Sequence, residues 1–131
     1  MFVQWFMWTR QQNVDFNDFG RWAIGMGMWA IGAAINIQSD YRLRMLRVNK
    51  GPGIHIPHGG FFESVSAANY FGEILEWLGY AIACHQLPAY AFAFFTFCNL
   101  APRAHQHHTF YRQYFGSRYP AHRKALLPGV W

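Results

Sequence analysis

The stretch Trp22–Ile37, WAIGMGMWAIGAAINI, contains no charged residue. Its glycines, alanines and methionines are small or adaptable, so it reads as a helix that lies close against another helix in a membrane. Working outward, a second apolar run, NYFGEILEWLGYAIAC, starts at Asn69 and continues to about His85. Gln86-Leu87-Pro88 breaks it, because proline lacks an amide hydrogen and clashes with the preceding turn. The third run, AYAFAFFTFCNL from Ala89 to Leu100, is expected to continue to about Tyr114, with Pro102 producing at most a kink.

Composition supports this reading. Charged residues make up 13% of the 131-residue chain and aromatics 20%, against about 25% charge in ordinary soluble proteins. Mean hydropathy is near zero, but the many His, Tyr and Trp that lower it suit a membrane interface. The net charge of +5 comes from residues that flank apolar stretches instead of covering a solvated face, which argues against nucleic acid. Cys84 and Cys98 lie inside apolar runs and behave as small hydrophobes. The opening MFVQWFMW is too short to span and lacks a basic leader or cleavage site, so it is read as the tail of a membrane segment or an interfacial piece.

The expected fold is therefore all-α: a multipass transmembrane helical bundle with about three spanning helices. Residues 1–131 form one membrane domain, of which 1–21 are a divergent or truncated lead-in. Arg42, Arg44, Arg47 and Lys50 follow the first segment, and Arg112, Arg118, Arg123 and Lys124 follow the third. Positive charge inside places both the first connection and the carboxyl terminus in the cytosol. The turn after the second segment has no Lys or Arg, and Arg10 and Arg21 before the first are offset by Asp15 and Asp18.

Side chains four or seven apart share a helix face, and three polar stripes follow. Asn36, Asp40 and Arg47 leave the first segment, Asn69, Glu73 and Glu76 enter the second, and Arg103, His107 and Tyr111 leave the third. On the deduced topology all three lie at one depth and converge on a cavity open to the cytosol. Each also has a structural reading. Asn36 and Asp40 serve equally as interhelical bonds or caps, Arg42 and Arg44 as snorkelling cations, and the two glutamates as partners of Arg103 or Arg47. Arginines, amides, a histidine and a tyrosine together suit a large anionic cofactor bearing phosphates, a nucleotide of unspecified kind. Gly25-Met26-Gly27 has neither a full phosphate-loop pattern nor a preceding strand, so its glycines are read as helix-packing residues.

His105, His107 and His108 invite a metal site, but H-x-H-H is not the HxxHH or HxxxH spacing of membrane iron enzymes. On a helix His105 and His108 point away from His107, so no metal is expected, and His107 alone joins the Arg103 stripe.

From about Trp29 to Leu127 the chain resembles the carboxyl-terminal half of a steroid 5α-reductase. The resemblance is carried by INIQSDYRLRMLR, IPHGGFFESVSAANYFGEILEWLGYA, LPAYAFAFFTFCNLAPRAHQHHTFYRQYF and RYPAHRKALLP. It is closer to the steroid reductases than to the enoyl-CoA or polyprenol reductases. The resemblance implies a multipass endoplasmic-reticulum enzyme with a cytosolic carboxyl terminus, which uses NADPH to reduce the C4–C5 double bond of a 3-oxo-Δ4-steroid. Asn36, Asp40, Arg47, Asn69, Glu73, Arg103, His107 and Tyr111 match residues of the family's cofactor pocket. Hydride would pass to the β-carbon of the enone and a proton to the α-carbon, with an acid polarising the carbonyl. In the family that acid looks to be a Tyr and Glu pair in an amino-terminal half with no counterpart here, so the chain is expected to be a fragment inactive alone. Its partners would be a steroid or other enone lipid and membrane lipid. Gln38 and Gln106 stand where the family has His, His55 where it is often basic, and the loop reads Lys50-Gly51-Pro52-Gly53. The competing readings are a related membrane enone or enoyl-lipid reductase, a non-catalytic truncated membrane protein, and a His-box iron enzyme.

Overall fold

In a computed structural model, residues 16–131 are described; the MFVQWFMW stretch, Arg10 and Asp15 lie outside them. Three helices carry the chain: α1, Phe16–Lys50; α2, Ala68–Cys84; and α3, Leu87–Phe115. A 3-10 turn, Gly60–Glu63, precedes α2, and a second, Gly116–Arg118, follows α3. Among the described residues the one β contact is an isolated parallel bridge between Val65 and Lys124.

The second and third segments fall within one or two residues of their expected bounds. The first does not: α1 has 35 residues, about 52 Å at ~1.5 Å per residue. Its helix begins inside the expected lead-in, where Arg21 pairs with Asp18 at 2.6 Å. It also absorbs Arg42, Arg44, Arg47 and Lys50, which follow the expected segment, and so carries the Asn36, Asp40 and Arg47 stripe on one continuous helix. Nothing in Ser39–Lys50 breaks a helix, and Gly51, at φ 76°, ends it. Between α2 and α3 the chain reverses at His85, whose left-handed φ of 50° stops α2, while Leu87-Pro88 starts α3 where a missing amide costs nothing. Pro102 lies inside α3 without ending it, as expected.

All-helical architecture is borne out. The three expected spans are not matched by apolarity: among the described residues no helix is long and apolar enough to cross a membrane. Glu73 and Glu76 interrupt α2, and the uncharged core of α1 is bounded by Arg21 and Asp40.

What joins α1 to α2 is glycine. A Cβ built on Gly25 would lie 2.4 Å from the Ala83 nitrogen, and one on Gly32 would lie 2.3 Å from the Glu76 nitrogen. From the other side, Gly72 would meet the Asn36 nitrogen at 2.5 Å and Gly79 the Trp29 nitrogen at 2.4 Å. The helices therefore run antiparallel, backbone against backbone. Gly27, expected to share this role, faces open space. α3 packs on α2 through Ala81, Ala89 and Ala93, ringed by Trp77, Tyr80, Cys84 and Tyr90, and through Ala67, Ala101, Ala104 and Leu126. α1 and α3 barely touch, so α2 is the middle layer.

Replacing Gly32 with Val should separate α1 from α2 and cost about 1–3 kcal/mol, the usual range for overpacking. Gly27→Ala should be neutral or stabilise by roughly 0.5–1 kcal/mol through helix propensity. Thermal unfolding followed by circular dichroism compares them; equal effects would refute the glycine seam.

Candidate functional site

Because α1 and α3 flank α2 without packing on each other, a cleft opens between the last turns of α1 and the last turns of α3. It holds a cavity of about 430 Å³ lined by Leu43, Leu46, Arg47, Gly53, Ile54, His55, Gln106, His107, Phe110 and Tyr111. A smaller one, about 160 Å³, adjoins it and is lined by Leu43, Arg47, Phe62, Ser66, Ala67, Asn69, Tyr70, His107 and Tyr111. Arg47, His107 and Tyr111 border both. The combined space lies in the range of small-molecule sites, with mostly apolar walls and a few converging polar groups.

The three stripes thus meet in part. Arg47 comes from α1, Asn69 from the start of α2, and His107 and Tyr111 from α3. Asp40 stands behind Asn69, accepting a hydrogen bond from its Nδ2 at 3.3 Å, and so ties α1 to α2 beside the smaller cavity. Tyr70 meets the edge of His107 at 5.8 Å. Three expected members do not line either cavity: Asn36, whose backbone packs on Gly72, Glu73, half-buried on α2, and Arg103, exposed on α3 one turn before His107. The i to i+4 spacing put Arg103 with His107 on one helix face, but the α3 lining of the cavities begins at Gln106 and His107, a turn later. Arg42, read as a snorkelling cation, instead sets its guanidinium against Gly59, whose φ of 90° keeps the chain clear.

The histidine run separates as its helical geometry requires. His107 borders the cavities, His105 stacks on Trp131 with rings 5.8 Å apart and 2° from parallel, and His108 Nδ1 lies 2.6 Å from Ser66 Oγ. Among the described residues no three His, Cys, Asp or Glu gather to hold a metal ion.

The cavity floor depends on the carboxyl-terminal segment, which spacing rules could not foresee. Ser66 and Ala67 donate backbone hydrogen bonds to Lys124 and Ala125 at 2.8 and 3.1 Å. Arg123 is buried at 2% exposure. Its Nη1 donates to the Pro57 carbonyl at 2.8 Å, its Nη2 lies 3.2 Å from His58 Nδ1 and 3.7 Å from Glu63, and its guanidinium sits 5.4 Å from the Tyr119 ring centre. These partners are separated by up to 66 residues, so no local signal marks them. His55 and Gln106 had one signal, as departures from the family pattern, and both line the larger cavity.

The site is a cleft in an all-helical scaffold, with one arginine, amides, imidazoles and a phenol set against apolar walls, suited to an anionic ligand with a ring system. Comparison with known sequences supplies the family. The profile of the 3-oxo-5-alpha-steroid 4-dehydrogenases matches residues 1–131, and the chain belongs to that family. It is 55% identical over 108 residues to 3-oxo-5-alpha-steroid 4-dehydrogenase 1 of Macaca fascicularis and 53% identical over 108 residues to that of Homo sapiens, in each case 82% of this chain and 41% of the relative. To 3-oxo-5-alpha-steroid 4-dehydrogenase 2 of Homo sapiens it is 50% identical over 111 residues, 85% of this chain and 43% of the relative. The chain spans less than half the length of these relatives.

The Gly59 amide, donating to Glu63 at 2.6 Å, holds that carboxyl below its ordinary range; desolvation opposes it, and Arg123 and His58 lower it further. A carboxylate whose pKa is lower folded than unfolded stabilises the fold above its unfolded value, about 4.3, and that contribution is lost as pH falls through the native value. Denaturant midpoints measured from pH 6 downward should therefore fall less in Glu63→Gln than in the parent; identical profiles would exclude this contribution.

Proposed function

We propose that this chain forms most of an NADPH pocket in a steroid 5α-reductase, an enzyme that reduces the C4–C5 double bond of a 3-oxo-Δ4-steroid. The observation that carries the reading is the convergence of Arg47, Asn69, His107 and Tyr111 on one cleft, in a chain half identical to proteins named 3-oxo-5-alpha-steroid 4-dehydrogenase. The donor set fits the group. Arg47 is a planar guanidinium suited to a phosphate, His107 and Gln106 offer ring and amide hydrogens, and Leu43, Leu46, Ile54 and Phe110 give an apolar wall for a flat ring.

NADPH supplies the hydride when bound. Around it Arg47 neutralises phosphate charge, Asp40 fixes the Asn69 amide, Tyr70 holds the His107 ring, and Tyr111 presents a hydroxyl. Arg103, one turn before His107 on α3, is a second cation near the pocket in this reading. Asn36 and Glu73 belong to the supporting seam between α1 and α2 in this reading. The acid that polarises the steroid carbonyl is sought outside residues 16–131, so the chain binds cofactor without turning over steroid.

In the same proposal α1, α2 and α3 stand in the endoplasmic-reticulum membrane within a larger bundle, with the cleft and the carboxyl terminus in the cytosol. The outward side chains support this: Ile24, Ile31, Ile37, Phe92, Phe94, Phe95 and Phe97 are all exposed, and a neighbouring helix or lipid would cover them. Thr96 and Asn99 turn their side chains back to the carbonyls of Phe92 and Phe95, satisfying polar groups within the helix.

The 131-residue chain, purified in lipid nanodiscs, should quench and transfer tryptophan fluorescence to NADPH. Arg47→Ala should weaken that binding about tenfold or more, the loss of one charge-assisted contact, and Arg103→Ala should weaken it less. Unchanged affinity in Arg47→Ala would overturn the pocket assignment. Reduction of a 3-oxo-Δ4-steroid by this chain alone would overturn the division of labour.

A further inference from the structure

Ser66 occupies a junction that cofactor binding, as described above, does not use. It is 5% exposed, sits two residues before α2, and borders the smaller cavity. Its Oγ lies 2.6 Å from His108 Nδ1 and is hydrogen-bonded to the Tyr119 hydroxyl. A serine hydroxyl has one hydrogen and two lone pairs, so a single Oγ can bond both groups at once. Both partners are committed to the same atom, which joins α3, the start of α2 and the carboxyl-terminal segment at one point.

Tyr119 passes this constraint on. Its ring is buried and lies parallel to that of Tyr111, with centres 5.5 Å apart and planes 1° apart, while Arg123 sits 5.4 Å from its centre and His108 meets it edge-on at 6.0 Å. Tyr111 in turn borders both cavities beside Arg47 and His107. A phenol on an exposed last turn has free rotamers, and one stacked on a ring that is itself pinned at the hydroxyl does not.

We propose that Ser66 is a positioning residue: by binding Tyr119 and His108 together it fixes the Tyr119 ring, and through that ring it sets the direction of the Tyr111 hydroxyl in the cleft. Its effect on cofactor affinity rests on the NADPH reading above; its effect on Tyr111 does not. Removing the hydroxyl would leave the buried Tyr119 hydroxyl and the half-buried His108 nitrogen without this partner, so the two rings would move to find others.

The test uses the 131-residue chain in nanodiscs with carbon-13-labelled tyrosine. In Ser66→Ala the Tyr111 ring resonances should shift and broaden as the stack loosens, and NADPH affinity should fall about five- to tenfold, the scale of one lost buried contact. Ser66→Thr, which keeps the hydroxyl, should restore both, and in a Tyr111→Phe background Ser66→Ala should cause little further loss of affinity. Should Ser66→Ala fail to fold, Tyr119→Phe removes one of the two bonds while keeping the ring, and the same shifts are expected. Tyr111 resonances unmoved by these changes would overturn the proposal, whatever the affinity. Resonances that move in a chain whose parent binds no NADPH would support the positioning role and overturn the cofactor reading instead.

Discussion

Everything in this fold depends on two backbones that touch. Gly25 and Gly32 on α1 meet Gly79 and Gly72 on α2, at distances where any Cβ would strike a backbone atom of the other helix. On each helix the two glycines are two turns apart, so the contact follows one face and permits only one register. That register carries Asp40, about two turns beyond Gly32, to within hydrogen-bond reach of Asn69, about one turn before Gly72. Close approach also gives many weak dispersion contacts without demanding apolar bulk. This explains how helices with modest hydrophobicity can stay together.

The third helix obeys a different rule and so makes the site. α3 rests on α2 through alanines and an aromatic ring contact, Trp77 with Phe92 at 4.8 Å, and barely touches α1. Two helices splayed across a third leave a cleft at the end where polar residues gather, which is the end that Arg47, His107 and Tyr111 occupy. The carboxyl-terminal segment braces Ser66 and Ala67, which line the smaller cavity. Lys124 and Ala125 accept backbone hydrogen bonds from Ser66 and Ala67, and Arg123 gathers Pro57, His58 and Glu63 around one guanidinium. A buried arginine is costly unless its hydrogens are used, and this one turns its two terminal nitrogens to bind two loops that the helices alone would leave apart, while its Nε has no partner among the described residues.

Much of this was legible before any coordinates. The uncharged run Trp22–Ile37, the break at Pro88 and the continuation through Pro102 locate the three helices, because helix propensity and breakers act locally. The stripes at Arg47, Asn69, His107 and Tyr111 follow from a period of 3.6, and the same period separates His105 and His108 from His107. The chain's motifs were enough to recognise its family. Other features were beyond a local reading. Gly25 and Gly27 are equivalent in sequence, yet one packs and the other faces open space, because only the partner helix distinguishes two faces of α1. Arg103 is spaced to share a face with His107 yet lines neither cavity. Ser66 and Tyr119 carry no pattern at all, since their bond spans 53 residues. By itself, then, the sequence determined where the second and third helices lie and the core of the first, which residues share a face and which family they belong to. Tertiary structure decided which faces meet and which side chains reach the cleft, because those depend on contacts between residues far apart in the chain.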